Sequence, residues 1–182
     1  MTVTVFGNSR CREDSAEYKL AFELGGALAT AGYSVCNGGY SGTMEATARG
    51  SKAAGGATIG VTVEELGQPA NTWIDQEIKM KTLMERLLKL VSLGDGYIVL
   101  QGGTGTLLEL AVVWELINKG MLKEKPVIAI GTYWTPVLQT LRNQLLREGQ
   151  EQGAGLVSEA GSVSECIEVL DRRMRQLSDL HP

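Results

Sequence analysis

Short β-branched runs bounded by glycine or polar residues alternate with longer stretches of helical period along the whole chain. The runs "VTVFG" (3–7), "YSVC" (33–36), "ATIGVTV" (57–63), "GYIVLQ" (96–101), "PVIAIG" (126–131) and "GLVSE" (155–159) predict strands. Apolar spacings of three and four predict helices at 14–31, 42–54, 75–93, 106–119, 135–149 and 163–177. Such alternation predicts an α/β fold in which a parallel sheet carries helices on both faces. Its crossovers should be right-handed, and a ligand should sit at the carboxyl ends of the strands. Because the alternation never breaks, residues 1–182 read as a single domain.

Glycine-rich loops fall at three of the predicted carboxyl ends: "GNSRCREDS" (7–15), "NGGYSGTME" (37–45) and "QGGTGTLLE" (101–109). In the third, Gly102, Gly103 and Gly105 flank Thr104, and Thr106 opens the predicted helix. A loop without Cβ atoms lets backbone N–H groups approach an anion. The helix behind it adds unpaired amides and the positive end of its dipole. These five residues form a candidate phosphate cradle, and Ser9, Gly39 and Gly42 of the other loops are candidate contacts. The competing reading, that the glycines only make tight turns, explains one such loop more easily than several at one sheet edge.

The familiar phosphate fingerprints do not fit. The first strand leads into "GNSRCR" in place of G-x-G-x-x-G, and the second ends at Cys36 and Asn37 without a ribose-binding acid. "GGTGTLLE" lacks the Gly-Lys-Ser/Thr ending of a Walker A loop. A mononucleotide or sugar phosphate fits the pattern better than a dinucleotide or a nucleoside triphosphate.

Composition narrows the picture. A net charge of -4 and a pI near 5.1 lack the basic footprint of a nucleic-acid binder or a polybasic membrane protein. No apolar run reaches the roughly 18 residues of a membrane span, and "MTVTVFGNSR" does not read as a signal peptide, so the expected compartment is the cytoplasm. Cys11, Cys36 and Cys166 are scattered without paired-ligand spacing, which predicts reduced thiols and no metal site. The one histidine, His181, lies next to the C-terminus, where disorder is expected, and a histidine-based triad is disfavoured.

At the third loop the residues resemble a known family. "GGTGTLLE" (102–109) is similar to the P-G-G-x-G-T-x-x-E motif of the LONELY GUY family, the cytokinin riboside 5'-monophosphate phosphoribohydrolases. "NGGYSGTM" resembles that family's G-G-G-x-x-G-L-M segment, and "VFGNS" its V-F-x-G-S-S strand end; the match is collinear over about residues 3–131. The resemblance implies a Rossmann-like homodimer that needs no cofactor. It implies hydrolysis of the N-glycosidic bond of a nucleoside 5'-monophosphate, AMP or an N6-substituted AMP, to free base and ribose 5-phosphate. It also implies that Arg86 and Glu109 are the catalytic pair. The chain departs from the family pattern at Gln101, where the family has proline, at Leu87, where it has lysine, and at Leu83 and Met84. These departures bear on substrate identity.

The chemistry of the two residues is compatible with that role. Cleaving an N-glycosidic bond develops positive charge on the ribosyl ring, which a carboxylate stabilises while it orients or deprotonates water. An arginine supplies fixed, planar donors for phosphate, sugar or base. Each residue also has a plainer reading. Thr106 to Glu109 spells a capping box, and Arg86 falls on a polar stripe with Lys79, Thr82 and Lys89, where a solvated charge is the ordinary expectation. The alternative function is a non-catalytic carrier of a nucleotide or of molybdenum cofactor, because such relatives share the glycine-rich loops. A pyridoxal-phosphate decarboxylase is disfavoured, since no lysine sits in a motif that would make a Schiff base. The stretch "LELAVVWELI" carries more apolar positions than one amphipathic stripe requires, which agrees with a homodimer.

Overall fold

The computed structural model describes residues 1–180, with side chains described through residue 177; His181 lies outside the described residues. The strands are β1 (Thr2–Phe6), β2 (Ser34–Asn37), β3 (Thr58–Val63), β4 (Gln76–Met80), β5 (Gly96–Val99), β6 (Val127–Ile130) and β7 (Val157–Ala160). They form one seven-stranded sheet in the order β4-β3-β2-β1-β5-β6-β7, with every pairing parallel. The helices are α1 (Ala16–Thr30), α2 (Thr43–Ala53), α3 (Leu83–Leu93), α4 (Thr104–Asn118), α5 (Thr135–Arg147), the short α6 (Glu151–Ala154) and α7 (Val163–Leu180).

Period-two alternation in the strands divides the core between the two faces of the sheet. Val3, Val5, Val35, Ile98 and Ile128 pack with Leu24 and Leu28 of α1 and Cys166 and Leu170 of α7. Phe6, Cys36, Val61, Tyr97 and Val99 pack with Leu90 of α3, Leu110 and Trp114 of α4 and Leu138 of α5. Helices therefore cover both faces, as the alternation predicts. Helices α1 and α2 meet backbone to backbone: a Cβ at Gly25 would overlap the Thr47 carbonyl, and one at Gly50 the Phe22 carbonyl.

The sheet order reverses direction at β1, which has β2 on one side and β5 on the other. A crevice opens at the carboxyl ends of the strands where neighbouring connections diverge. The loops after β1, β2 and β5 all lead to that edge.

The predicted helix at 75–93 is corrected by the structure. Residues 76–80 form the edge strand β4, paired with Ile59–Val63, and the helix begins only at Leu83. The strand is short, with exposed Glu77 and Lys79 alternating with half-buried Ile78 and Met80, as suits a protected edge. Helix α3 starts with a capping box: the Thr82 hydroxyl accepts from Glu85 N (3.3 Å), and the Glu85 carboxylate accepts from Thr82 N (3.1 Å). Thr82→Ala removes the cap one turn before Arg86. Urea unfolding should show a loss of about 1 kcal/mol, and an unchanged midpoint would mean that tertiary packing alone holds this helix end.

Candidate active site

The β1–α1 loop, the start of α2, helix α3 and the start of α4 surround a cavity of about 500 Å³. Its walls include Ser9 and Arg10 from the first loop, Tyr40 and Met44 from the second, Gly103 to Thr106, and, from α3 and α4, Arg86 and Glu109. The volume is in the range of small-molecule sites.

Helix α4 begins at Thr104, with Gly103 as its N-cap and no side-chain cap. Nothing lies within 4 Å of where a Cβ would stand on Gly103 or Gly105, so their backbone faces open space. The first amides of α4 therefore point into the cavity wall without a protein cap, as an anion site at a helix N-terminus requires. Gly102 has another task, because a Cβ there would overlap the buried Thr106 side chain.

With α4 starting at Thr104, Glu109 is the sixth helical residue and lies too far along to cap the helix. The capping-box reading of Thr106 to Glu109 is thereby corrected. Glu109 instead faces Arg86 across a gap of 4.0 Å, with its side chain 14% exposed. Burial pushes its carboxyl up to about 7, and the opposing pull of the Arg86 charge only partly offsets that.

Arg86 is no solvated charge either; it is a buried residue on the inner side of α3, beside Leu87 and Leu90. Its Nε donates to the Val61 carbonyl at 2.7 Å, and its guanidinium carbon lies 5.5 Å from the centroid of the Tyr40 ring. Tyr40 is fixed in turn, because its hydroxyl accepts from Val63 N at 2.8 Å. Gly38 makes the seat possible: a Cβ there would overlap the guanidinium.

The structure thus brings Ser9, Gly103, Thr104, Gly105, Thr106, Arg86 and Glu109 to one cavity, while Gly39, Gly42 and Gly102 shape the backbone behind it. Gly39 and Gly42 have φ of 75° and 69°, in the left-handed region that favours glycine. The Gly39 carbonyl accepts from Asn71, and a Cβ at Gly42 would overlap the Asn8 carbonyl. Sequence reasoning missed Gly38, Tyr40, Met44 and Arg10. The Gly38-Gly39-Tyr40 run inside an already suspect motif was the available signal for the first two, and Met44 stands at the methionine of the G-G-G-x-x-G-L-M segment; Arg10 carried none.

A parallel sheet with this crevice, an uncapped helix start and a buried arginine–glutamate pair defines a Rossmann-like α/β protein with a small-ligand site. The chain belongs to the SLOG cluster4 family, a LOG-type family whose sequence profile matches residues 1–167. A cytokinin riboside 5'-monophosphate phosphoribohydrolase from Mycobacterium tuberculosis is 36% identical over 117 residues, which span 62% of this chain and 61% of that protein. The molybdenum cofactor binding protein from Rippkaea orientalis superposes with a TM-score of 0.72 at 26% identity, over 94% of each chain. The molybdenum cofactor carrier protein from Chlamydomonas reinhardtii gives 0.76 at 24% identity, over 96% of this chain and 98% of that one, a likeness of fold alone.

The position of Glu109 makes a stability prediction. Its folded-state pKa is raised from 4.5 to about 7, so the folded protein binds its proton more tightly than the unfolded chain. The resulting stabilisation is complete below 4.5 and is lost as pH rises through about 7. Glu109→Gln stays neutral throughout, so its stability relative to the parent should rise over that window by up to about 3 kcal/mol and level off above it. Urea titrations of both proteins across pH measure this, and a pH-independent difference would show that Glu109 ionises as an exposed glutamate does.

Proposed function

We propose that the protein hydrolyses the N-glycosidic bond of a nucleoside 5'-monophosphate, AMP or an N6-substituted AMP, to free base and ribose 5-phosphate. The observation that carries this reading is Glu109, a buried carboxyl with its proton affinity raised to about 7, held beside Arg86 on the wall of a cavity that also presents the uncapped start of α4. The name of the Mycobacterium tuberculosis relative supports the same reaction class.

In this reading the 5'-phosphate sits on the amides of Gly103 to Thr106, which leaves the ribose over Glu109 and the base against Met44 and Leu66. The bond from C1' to the base breaks with its electron pair leaving on the base, and water adds at C1'. The Glu109 carboxylate stabilises the ribosyl cation and takes the proton that the water gives up; that proton then passes to the departing base, which leaves as the neutral free base and returns Glu109 to its carboxylate. Arg86, held by Val61 and Tyr40, keeps the carboxylate aimed. No cofactor takes part in this scheme.

Incubation with a panel of nucleoside monophosphates, with released base as the readout, tests the proposal. Activity should rise with pH through about 7 as Glu109 ionises. Glu109→Gln should lower turnover by roughly two to four orders of magnitude while nucleotide binding survives. The second reading, a non-catalytic carrier of a nucleotide or molybdenum cofactor, draws on the carriers of similar fold. Nucleotide that binds and stays intact would select it.

We also propose a homodimer through α3 and α4. Leu83, Met84 and Leu88 on α3 and Leu107 and Leu108 on α4 are large apolar side chains that the single chain leaves exposed. Trp114, Val113 and Ile117 of the same apolar stretch are buried within the chain, so only part of the surplus calls for a partner. A second copy is the occupant that the family resemblance implies, and it would bury the same patch on both subunits. Light scattering at micromolar concentration should give twice the chain mass, and Leu88→Glu with Leu108→Glu should reduce it to a monomer. A monomeric parent would refute the dimer.

A further inference from the structure

The cavity has two cationic side chains among its lining residues, and they stand in opposite conditions. Arg86 is committed: buried, donating to the Val61 carbonyl, stacked on Tyr40 and facing Glu109. That seat fixes the guanidinium opposite Glu109. Arg10 is exposed, and among the described residues its guanidinium has neither an ion pair nor a hydrogen bond. Charged residues that follow it in the chain are engaged elsewhere. Arg12 pairs with Asp14, Glu13 with Arg49, and Glu17 accepts from Asn8 Nδ2.

A free side chain here is not a free backbone. Arg10 N donates to Asn8 Oδ1 at 2.8 Å. The Asn8 carbonyl accepts from Thr43 N at 2.8 Å and from the Thr43 hydroxyl at 3.0 Å, and the Ser9 carbonyl accepts from the Ser41 hydroxyl at 2.9 Å. The loop is clamped to the first turn of α2, and the Arg10 guanidinium stands on the cavity wall with no partner among the described residues.

Charge balance gives that group a task. A phosphate monoester carries about -1.5 to -2 near neutral pH, whereas a helix N-terminus offers the equivalent of about +0.5. The Gly103 to Thr106 segment contains no lysine or arginine to supply the rest. The cavity volume of 500 Å³ corresponds to about 8 Å on a side, roughly one Debye length at physiological ionic strength, so a charge on one wall acts on an anion at the other.

We propose that Arg10 is the phosphate-reading residue of this site: its guanidinium closes on the 5'-phosphate held at the start of α4 and so selects nucleotides over nucleosides. This rests on the reading that the cavity takes a 5'-phosphorylated ligand. A planar fork that grips two phosphate oxygens suits the task better than an ammonium, so Arg10→Lys recovers the charge without the full contact. Arg10 acts on binding and not on the bond that breaks.

The experiment has two arms, on the full chain. In the first, calorimetry with ribose 5-phosphate compares the parent with Arg10→Ala and Arg10→Lys, with thermal melts to show that all three fold alike. Arg10→Ala should weaken binding about 10- to 100-fold, with Arg10→Lys intermediate. In the second, KM for the best nucleoside monophosphate should rise by the same factor in Arg10→Ala while kcat stays within about threefold, and preference for nucleotide over nucleoside should fall in step. Equal ribose 5-phosphate affinity in parent and Arg10→Ala, no affinity in the parent, or a loss in kcat with KM unchanged would each overturn the assignment. If the parent releases no base from any nucleotide yet Arg10→Ala still loses ribose 5-phosphate, hydrolysis fails as the function and the assignment of Arg10 stands.

Discussion

Arg86 and Glu109 face each other at 4.0 Å with little water around either, and a buried ion pair of this kind depends on its surroundings more than it supports them. Removing two charges from water costs several kcal/mol per ion before their attraction and hydrogen bonds offset it. The offset here is assembled from separate parts of the chain. The Val61 carbonyl comes from β3, the Tyr40 ring and the space at Gly38 come from the β2–α2 loop, and the Thr82 cap fixes the start of α3. Even so, the raised proton affinity of Glu109 shows that burial outweighs Arg86. A pair in that balance is poorly suited to serve as a structural staple.

The sheet supplies the frame. Its order reverses at β1, so the loops after β1, β2 and β5 converge without any one of them having to be long. Two separate apolar clusters, one on each face, hold the strands in register and leave the carboxyl edge as the place where polar backbone meets solvent. Specific chemistry is then added by single residues: bare amides at Gly103 and Gly105, a carboxyl one and a half turns further along α4, and two arginines in opposite states of commitment.

Much of this was legible in the sequence, because strand and glycine patterns are local signals. The six predicted strands all form, and Ser9, Gly103 to Thr106, Arg86 and Glu109 reach one cavity. The failures have a common cause. Strand β4 was hidden because Met80, Leu83, Met84 and Leu87 continue a helical period across a boundary marked only by Thr82 and Glu85. Arg86 reads as a surface charge because sequence periodicity cannot register a space left by Gly38 on a different loop. The capping motif at Thr106 was a true local pattern, defeated because α4 begins earlier, at a glycine. In the sequence Arg10 is one of several charges in "RCRED"; what distinguishes it is that its guanidinium has no partner among the described residues.

The glycine contacts between α1 and α2 have a mechanical side. Two helices whose backbones touch at Gly25 and Gly50 have no side-chain cushion to deform, so they carry the β1–α1 loop and the first turn of α2 as one rigid plate. The Ser9 and Arg10 wall of the cavity is bolted to that plate through Thr43 and Ser41. A bulkier ligand would have to be accommodated from the opposite side, at Leu66 and the exposed turn that follows β3, which is tied to the start of α3 by the exposed Glu65 carboxylate accepting from Leu83 N at 3.2 Å. For the proposed nucleotide, selectivity at the phosphate and tolerance at the base would then evolve on different parts of the fold, one set on the plate and one on an exposed turn.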